Sequence, residues 1–181
     1  MIKKNFVVSV FVLLSAIANL ESFADTFQLT SNQIKNNGKL TTLQEFNGFD
    51  CKGLNIAPDL KWANPPKGVK SYAITLFDED APTGSGWWHW VVINIPANTR
   101  ELTPSVKHKN ITLVRNDYGE KNYGGPCPPM GDQPHRYVFK VWALDTEKIN
   151  APSDASPALI GFMLNKHKIQ VSQLTVTYSR H

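Results

Sequence analysis

The sequence predicts a mainly β protein, one domain of antiparallel strands with one or two short helices at its periphery. Three observations carry this. Three apolar runs of strand length, Tyr72–Phe77, His89–Ile95 and Arg136–Leu144, lie between turn-rich segments. Twelve prolines and eleven glycines in 181 residues demand many turns and short elements, which excludes a helical bundle. Only one window combines a cap with helical spacing. The length suits a single core. With 41% hydrophobic and 19% charged residues, disorder is excluded. The formal charge of +4 is scattered, with no basic run longer than Lys3–Lys4, so no nucleic-acid-binding arm is present.

Taken in order, residues 1–24 read as a secretory signal peptide. Lys3 and Lys4 precede the 13-residue apolar run Phe6–Ala18, and Ser22-Phe23-Ala24 offers small residues at the two positions a signal peptidase reads. The run is shorter than the roughly 20 apolar residues a membrane span needs. The reading is therefore an exported protein, periplasmic or secreted, mature from about Asp25 and without an integral membrane segment. Asn36-Asn37-Gly38, Asn47-Gly48 and Pro65-Pro66-Lys67-Gly68 are turn signals. Tyr72–Phe77 is a buried strand running into the acidic turn Asp78-Glu79-Asp80-Ala81-Pro82. His89–Ile95 is a second strand stopped by Pro96, and Ile111–Val114 a weak short one. Tyr123–Gln133 holds three prolines and three glycines in eleven residues and must be an irregular, stiff loop. Arg136–Leu144 is the third strong strand. Ser156 as cap, Pro157 at the first helical position and apolar Leu159, Phe162 and Met163 predict a helix to about His167. Leu174, Val176 and Tyr178 alternate with polar residues in a closing strand.

Cys51 and Cys127 are the only cysteines. An even count in an exported chain points to a Cys51–Cys127 disulfide, the alternative being two separate buried thiols.

Strand parity locates the chemistry. His89 shares the parity of Val91, Ile93 and Ile95, and His135 that of Tyr137, Phe139 and Val141. Asp78 and Asp80 follow Tyr72, Ile74 and Leu76 if the chain stays extended. Two histidines, two aspartates and a tyrosine thus point inward at strand ends beside Gly/Pro-rich loops. Unpartnered burial costs roughly 1 to 3 kcal/mol each, so these groups meet one another or a ligand.

Four blocks in order, Asp78-Glu79-Asp80-Ala81-Pro82, His89-Trp90-Val91-Val92-Ile93-Asn94, Gly125-Pro126-Cys127-Pro128-Pro129 and His135-Arg136-Tyr137, resemble those of the phosphatidylethanolamine-binding proteins, which include the Raf kinase inhibitor proteins. Gly84–Trp90 and Tyr123–Pro129 are similar to the bacterial YbhB/YbcL-like branch. The resemblance spans roughly Phe46–Arg180. It implies a large antiparallel sheet packed on a smaller one, and a small pocket for phosphate or a phospholipid headgroup such as phosphoethanolamine. Carried over, the ligand-binding residues are Asp78, Asp80, His89, Cys127, Pro128, Pro129, His135 and Tyr137. The resemblance also implies a cis Ala81–Pro82 bond. Glu79 stands where the family usually has proline, and Cys127 where animal members have glycine.

The expected mechanism is binding without cofactor or resident metal. An anion sits against His89 and His135, Tyr137 donates its hydroxyl, and Asp78 either keeps a histidine protonated or is itself protonated, so binding improves at mildly acid pH. Hydrolysis of phosphate or acyl esters through an Asp/His pair with Ser85 nearby is the alternative, although Gly84-Ser85-Gly86 is not a nucleophile elbow. Two histidines and two aspartates would satisfy zinc, but none has short ligand spacing. A protein partner at the pocket rim is a further expectation from animal and plant relatives. Monomer and homodimer are both compatible with the sequence.

Overall fold

The computed structural model describes residues 26–104 and 109–181. The signal peptide, the start at Asp25 and His108, a histidine expected in a loop with no part in ligand binding, lie outside the described residues. Ten strands and one helix follow in order: β1 (Gln28–Thr30), β2 (Asn47–Gly48), β3 (Cys51–Lys52), β4 (Leu60–Ala63), β5 (Ser71–Asp78), β6 (Trp87–Pro96), β7 (Glu101–Leu102), β8 (Thr112–Leu113), β9 (His135–Leu144), α1 (Pro157–His167) and β10 (Lys168–Tyr178). A five-stranded antiparallel sheet runs β10-β9-β5-β6-β8, a three-stranded one β1-β4-β7, and β2 pairs with β3.

The large sheet is covered on both faces. Tyr72, Ile74 and Leu76 of β5 join Tyr137, Phe139 and Val141 of β9 in a core closed by Leu29, Leu60, Trp62 and Leu102 of the small sheet. Ala73, Val91, Ile93, Trp142 and Leu144 point the other way, onto Ile160 and Leu164 of α1. Central β5, buried along nearly its whole length, therefore reads as a continuous apolar run instead of an alternating one.

The helix has the expected bounds. Ser156 Oγ accepts the Leu159 N–H at 3.2 Å, and Lys166 and His167 close the last turn, where cations suit the dipole. Its buried face differs from the expectation: Ile160, Gly161 and Leu164 face the core, while Leu159 and Phe162 are exposed. The segment Leu159–Met163 is apolar nearly all round, so composition alone picks the wrong stripe. Asn47-Gly48, expected as a turn, is strand β2. The turn follows it, at Phe49 and Asp50, with φ of 50° and 65°. This left-handed conformation leaves Phe49 69% exposed beside the site described next.

Candidate functional site

Parity holds for Asp78, His135 and Tyr137 because β5 and β9 pair in unbroken register, with Asp78 opposite Tyr137. It fails for His89. Leu76 pairs with Trp90 but Phe77 with Trp88, so His89 is the extra residue of a β-bulge. The bulge turns its ring away from the face of Val91 and Ile93 and brings it edge-on to Tyr137, with centroids 5.2 Å apart. Without the bulge His89 would point towards α1.

The loop of residues 123–130 holds that ring. Gly124 N–H donates to the His89 carbonyl (2.9 Å), and His89 Nδ1 lies 2.8 and 3.0 Å from the Gly124 and Gly125 carbonyl oxygens. Two carbonyls accept only, so Nδ1 carries the hydrogen and Nε2 is a bare acceptor. Nε2 is buried and has no partner. Asn116, which the sequence reading missed, braces the strand from the far side: its Nδ2 donates to the His89 and Asn122 carbonyls, both at 3.1 Å.

Asp78 accepts twice. Its Oδ2 is 2.8 Å from His135 Nδ1, and its Oδ1 takes the Asp80 N–H at 2.9 Å. His135 Nε2 is 3.4 Å from Asp132 Oδ2, so this histidine lies between two carboxylates. Asp78 thus orients His135.

These side chains border a cavity of about 190 Å³, lined by Asp78, His89, His135, Cys127, Pro128 and Pro129, with Phe49, Ala81, Pro82, Trp87 and Tyr118 forming an apolar and aromatic remainder and Thr83 adding one hydroxyl. It is smaller than the roughly 300–1,000 Å³ of pockets that enclose drug-sized ligands. No lysine or arginine lines it. Tyr118 was missed because its loop has no periodic pattern. Its hydroxyl donates to the Gly125 carbonyl (3.0 Å) and its ring stacks on Phe46 at 3.9 Å.

Six of the eight expected ligand residues therefore share one wall, and two do not. Asp80 faces outward. The strand ends at Asp78, whose Oδ1 captures the Asp80 N–H and bends the chain, and Asp80 then grips Arg136 through the backbone N–H, Nε and Nη2 at 2.7 to 2.9 Å. The Arg136 guanidinium lowers the pKa of Asp80. Tyr137 is fully buried and does not line the cavity; its hydroxyl has no partner, and burial raises its pKa, with the Asp78 charge acting the same way. It supports the two histidines from behind. Glu79, by contrast, points outward as expected, 3.3 Å from Arg136.

The expected cis bond is also corrected, since no cis peptide occurs among the described residues. The reversal after β5 is made instead by Gly84 and Gly86, with φ of 78° and 72°. Cys51 and Cys127 are disulfide-bonded, joining β3 to the site loop. Ser85 is exposed and off the cavity wall. No cluster of three metal-ligating side chains exists among the described residues, and none of their helices is long and apolar enough to cross a membrane.

Burial lowers the His89 pKa from 6.5 to about 4, outweighing the opposing loop carbonyls and Asp78 charge. The unfolded chain therefore binds this proton more readily than the folded one. Stability from the neutral ring is complete above about pH 6.5 and falls as pH drops towards 4, by on the order of 3 kcal/mol. Urea unfolding at pH 7 and pH 4 is expected to show wild type losing that much more than a His89→Asn variant. Equal losses would contradict a buried neutral His89.

Comparison with known proteins agrees with this architecture. A sequence profile of the family described as phosphatidylethanolamine-binding protein matches residues 30–179. The chain is 48% identical over 170 residues to the UPF0098 protein YbcL of Escherichia coli K12, covering 90% of this chain and 93% of YbcL. It is 41% identical over 158 residues to YbhB of the same organism, covering 84% and 99%. The crystal structure of E. coli YbcL, described as a new member of the mammalian PEBP family, matches with a TM-score of 0.83 at 49% identity, covering 86% of this chain and 99% of that one. The profile match over residues 30–179, these relatives and the shared antiparallel β fold place the chain in the phosphatidylethanolamine-binding protein family.

Proposed function

We propose that this protein is an exported, non-enzymatic binding protein that holds phosphate-type anions, either inorganic phosphate or phosphorylated headgroups such as phosphoethanolamine. One observation carries the reading: Asp78, His89 and His135, all nearly fully buried, converge on a small and otherwise apolar cavity. Several polar and titratable side chains converging on one small apolar cavity mark a ligand site. Binding is favoured over hydrolysis because the wall's one aliphatic hydroxyl, on Thr83, donates to the Gly86 carbonyl instead of a histidine, and Cys127 has no free thiol. Export is supported by the pattern of residues 1–24 and by the disulfide, which persists in oxidising compartments. An intact mass beginning at Asp25 in the exported fraction tests that part.

Calorimetric titration with phosphate and phosphoethanolamine tests the ligand. A charge-assisted hydrogen bond contributes roughly 1.5 to 3 kcal/mol, so His135→Ala is expected to weaken binding about tenfold or more. His167→Ala is expected to change it little, because His167 sits at the end of α1 against Asp145, 2.9 Å away. Undiminished binding by a His89→Ala/His135→Ala double variant would place the anion elsewhere.

A further inference from the structure

The large sheet ends at β8, and among the described residues no strand lies beyond it. Val92 pairs with Leu113 and Ile93 with Thr112, while the Val114 N–H donates to the Val91 carbonyl at 3.0 Å. Antiparallel strands alternate the direction of their backbone groups, so Leu113 turns its N–H and C=O away from β6. Both residues of β8 are exposed. The edge is open to one more strand.

A groove flanks this edge on each face of the sheet. The face of Val92 and Leu113 opens into a groove of about 890 Å³ between the two sheets, lined by Ile56, Trp90, Val92, Leu102, Ile111 and Tyr123. Its floor is held in place: Tyr123 meets Trp90 edge-on at 5.6 Å and donates its hydroxyl to the Gln44 carbonyl at 3.1 Å. The face of Ile93 and Thr112 opens into a second groove of about 570 Å³, walled by Asn94, Lys121, Lys148 and Ser153. Asn94 ties this side together, donating to Thr112 Oγ1 (3.1 Å) and accepting the Ile149 N–H (2.8 Å). Lys121 Nζ donates to the Ser153 carbonyl at 3.5 Å, which leaves it two further hydrogens. Among the described residues no aspartate or glutamate lines either groove, and neither lysine is in an ion pair. Neither groove shares a lining residue with the cavity of Asp78, His89 and His135.

We infer that β8 is a docking edge for an extended segment of another protein in which apolar and acidic side chains alternate. Successive side chains of a strand point to opposite faces, and an added strand continues the alternation of the sheet it joins. The residue opposite Leu113 sends an apolar side chain into the inter-sheet groove. Its two neighbours send carboxylates towards Lys121 and Lys148. Charge selects this occupant over a second copy of the chain. Pairing β8 with β8 of another copy continues the sheet about a two-fold axis normal to it, which puts both copies' lysine pairs on one face, where like charges repel.

The test is an NMR titration of the ¹⁵N-labelled protein with the peptide acetyl-Ser-Glu-Val-Glu-Val-Glu-Val-Ser-amide. The Leu113 amide and the Trp90 indole are expected to shift, and the Leu113 amide to become protected from solvent exchange. A peptide of the same composition with its valines in one block, and one with lysine for glutamate, are each expected to bind about tenfold more weakly or worse. Lys121→Glu/Lys148→Glu, a surface change, is expected to weaken binding by a similar factor. Leu113→Pro removes only the outward N–H, which a sheet edge tolerates, and is expected to weaken it about fivefold. Binding of the blocked peptide within about threefold of the alternating one would overturn the strand register and the proposal with it. So would the absence of any shift at β8 up to about 1 mM peptide, or shifts confined to His89 and His135, which would assign the acidic peptide to the anion cavity. Sedimentation showing a dimer that Leu113→Pro dissolves would make a second copy the occupant and overturn it as well. Sodium decanoate shifting Trp90 where the peptide does not would overturn it in favour of an amphiphile.

Discussion

Gly125→Ala is expected to destabilise the protein by about 3 kcal/mol and to weaken phosphate binding at least tenfold. A Cβ at this position would overlap the Gln44 carbonyl oxygen and press on the Phe46 nitrogen, both backbone atoms that cannot swing aside. The loop is pinned from several sides: Gly125 N–H donates to Asn55 Oδ1 (2.8 Å), Phe46 N–H donates to the Pro126 carbonyl (3.0 Å), and Tyr118 holds the Gly125 carbonyl. Any shift that relieves the overlap moves the carbonyls fixing the His89 tautomer. Denaturant unfolding and a phosphate titration on the same variant read both effects. An unchanged unfolding midpoint would show that the backbones do not approach as closely as described.

Removing the disulfide has the second largest expected effect. Cys51→Ala/Cys127→Ala opens a loop closed across 76 positions, which the chain-entropy account values at about 4 kcal/mol, with measured losses commonly smaller. The native fold retains a parallel tie, because Arg180 donates Nε to the Pro128 carbonyl (2.7 Å) and Nη1 to the Asp50 carbonyl (3.1 Å), each next to a cysteine. The double variant is therefore expected to fold, with an unfolding free energy lowered by about 2 to 4 kcal/mol. Combining it with Arg180→Ala is expected to cost more than the two changes added, since both ties hold the same pair of loops. Strict additivity would show that Arg180 does not share the work of the disulfide.

The strands were legible because burial on both faces of β5, β6 and β9 leaves nearly continuous apolar runs. The site was legible in composition more than in direction. Asp78 and His135 obey alternation because β5 and β9 stay in register. His89 reaches the same wall only through a one-residue bulge, which alternation cannot foresee. Asp80 leaves the wall because Asp78 captures its N–H, a side-chain-to-backbone bond that overrides an extended continuation. The aromatic wall of Phe49, Trp87 and Tyr118 depends on loops, and the left-handed Phe49 carries no signal in residue type, since glycine or asparagine would be expected there. The family resemblance supplied which residues gather. The bulge, the acidic turn and the loop carbonyls determine which of them can touch a ligand.

The most direct test of the account is the imidazole ¹H–¹⁵N spectrum of the protein titrated with phosphoethanolamine at pH 6.5. His89 is expected to begin as the neutral tautomer with hydrogen on Nδ1, and its Nε2 resonance is expected to move in proportion to occupancy. His135 is expected to shift with it, while His167, against Asp145, stays in place. A saturable titration that leaves both His89 and His135 unmoved would contradict the cavity as the anion site.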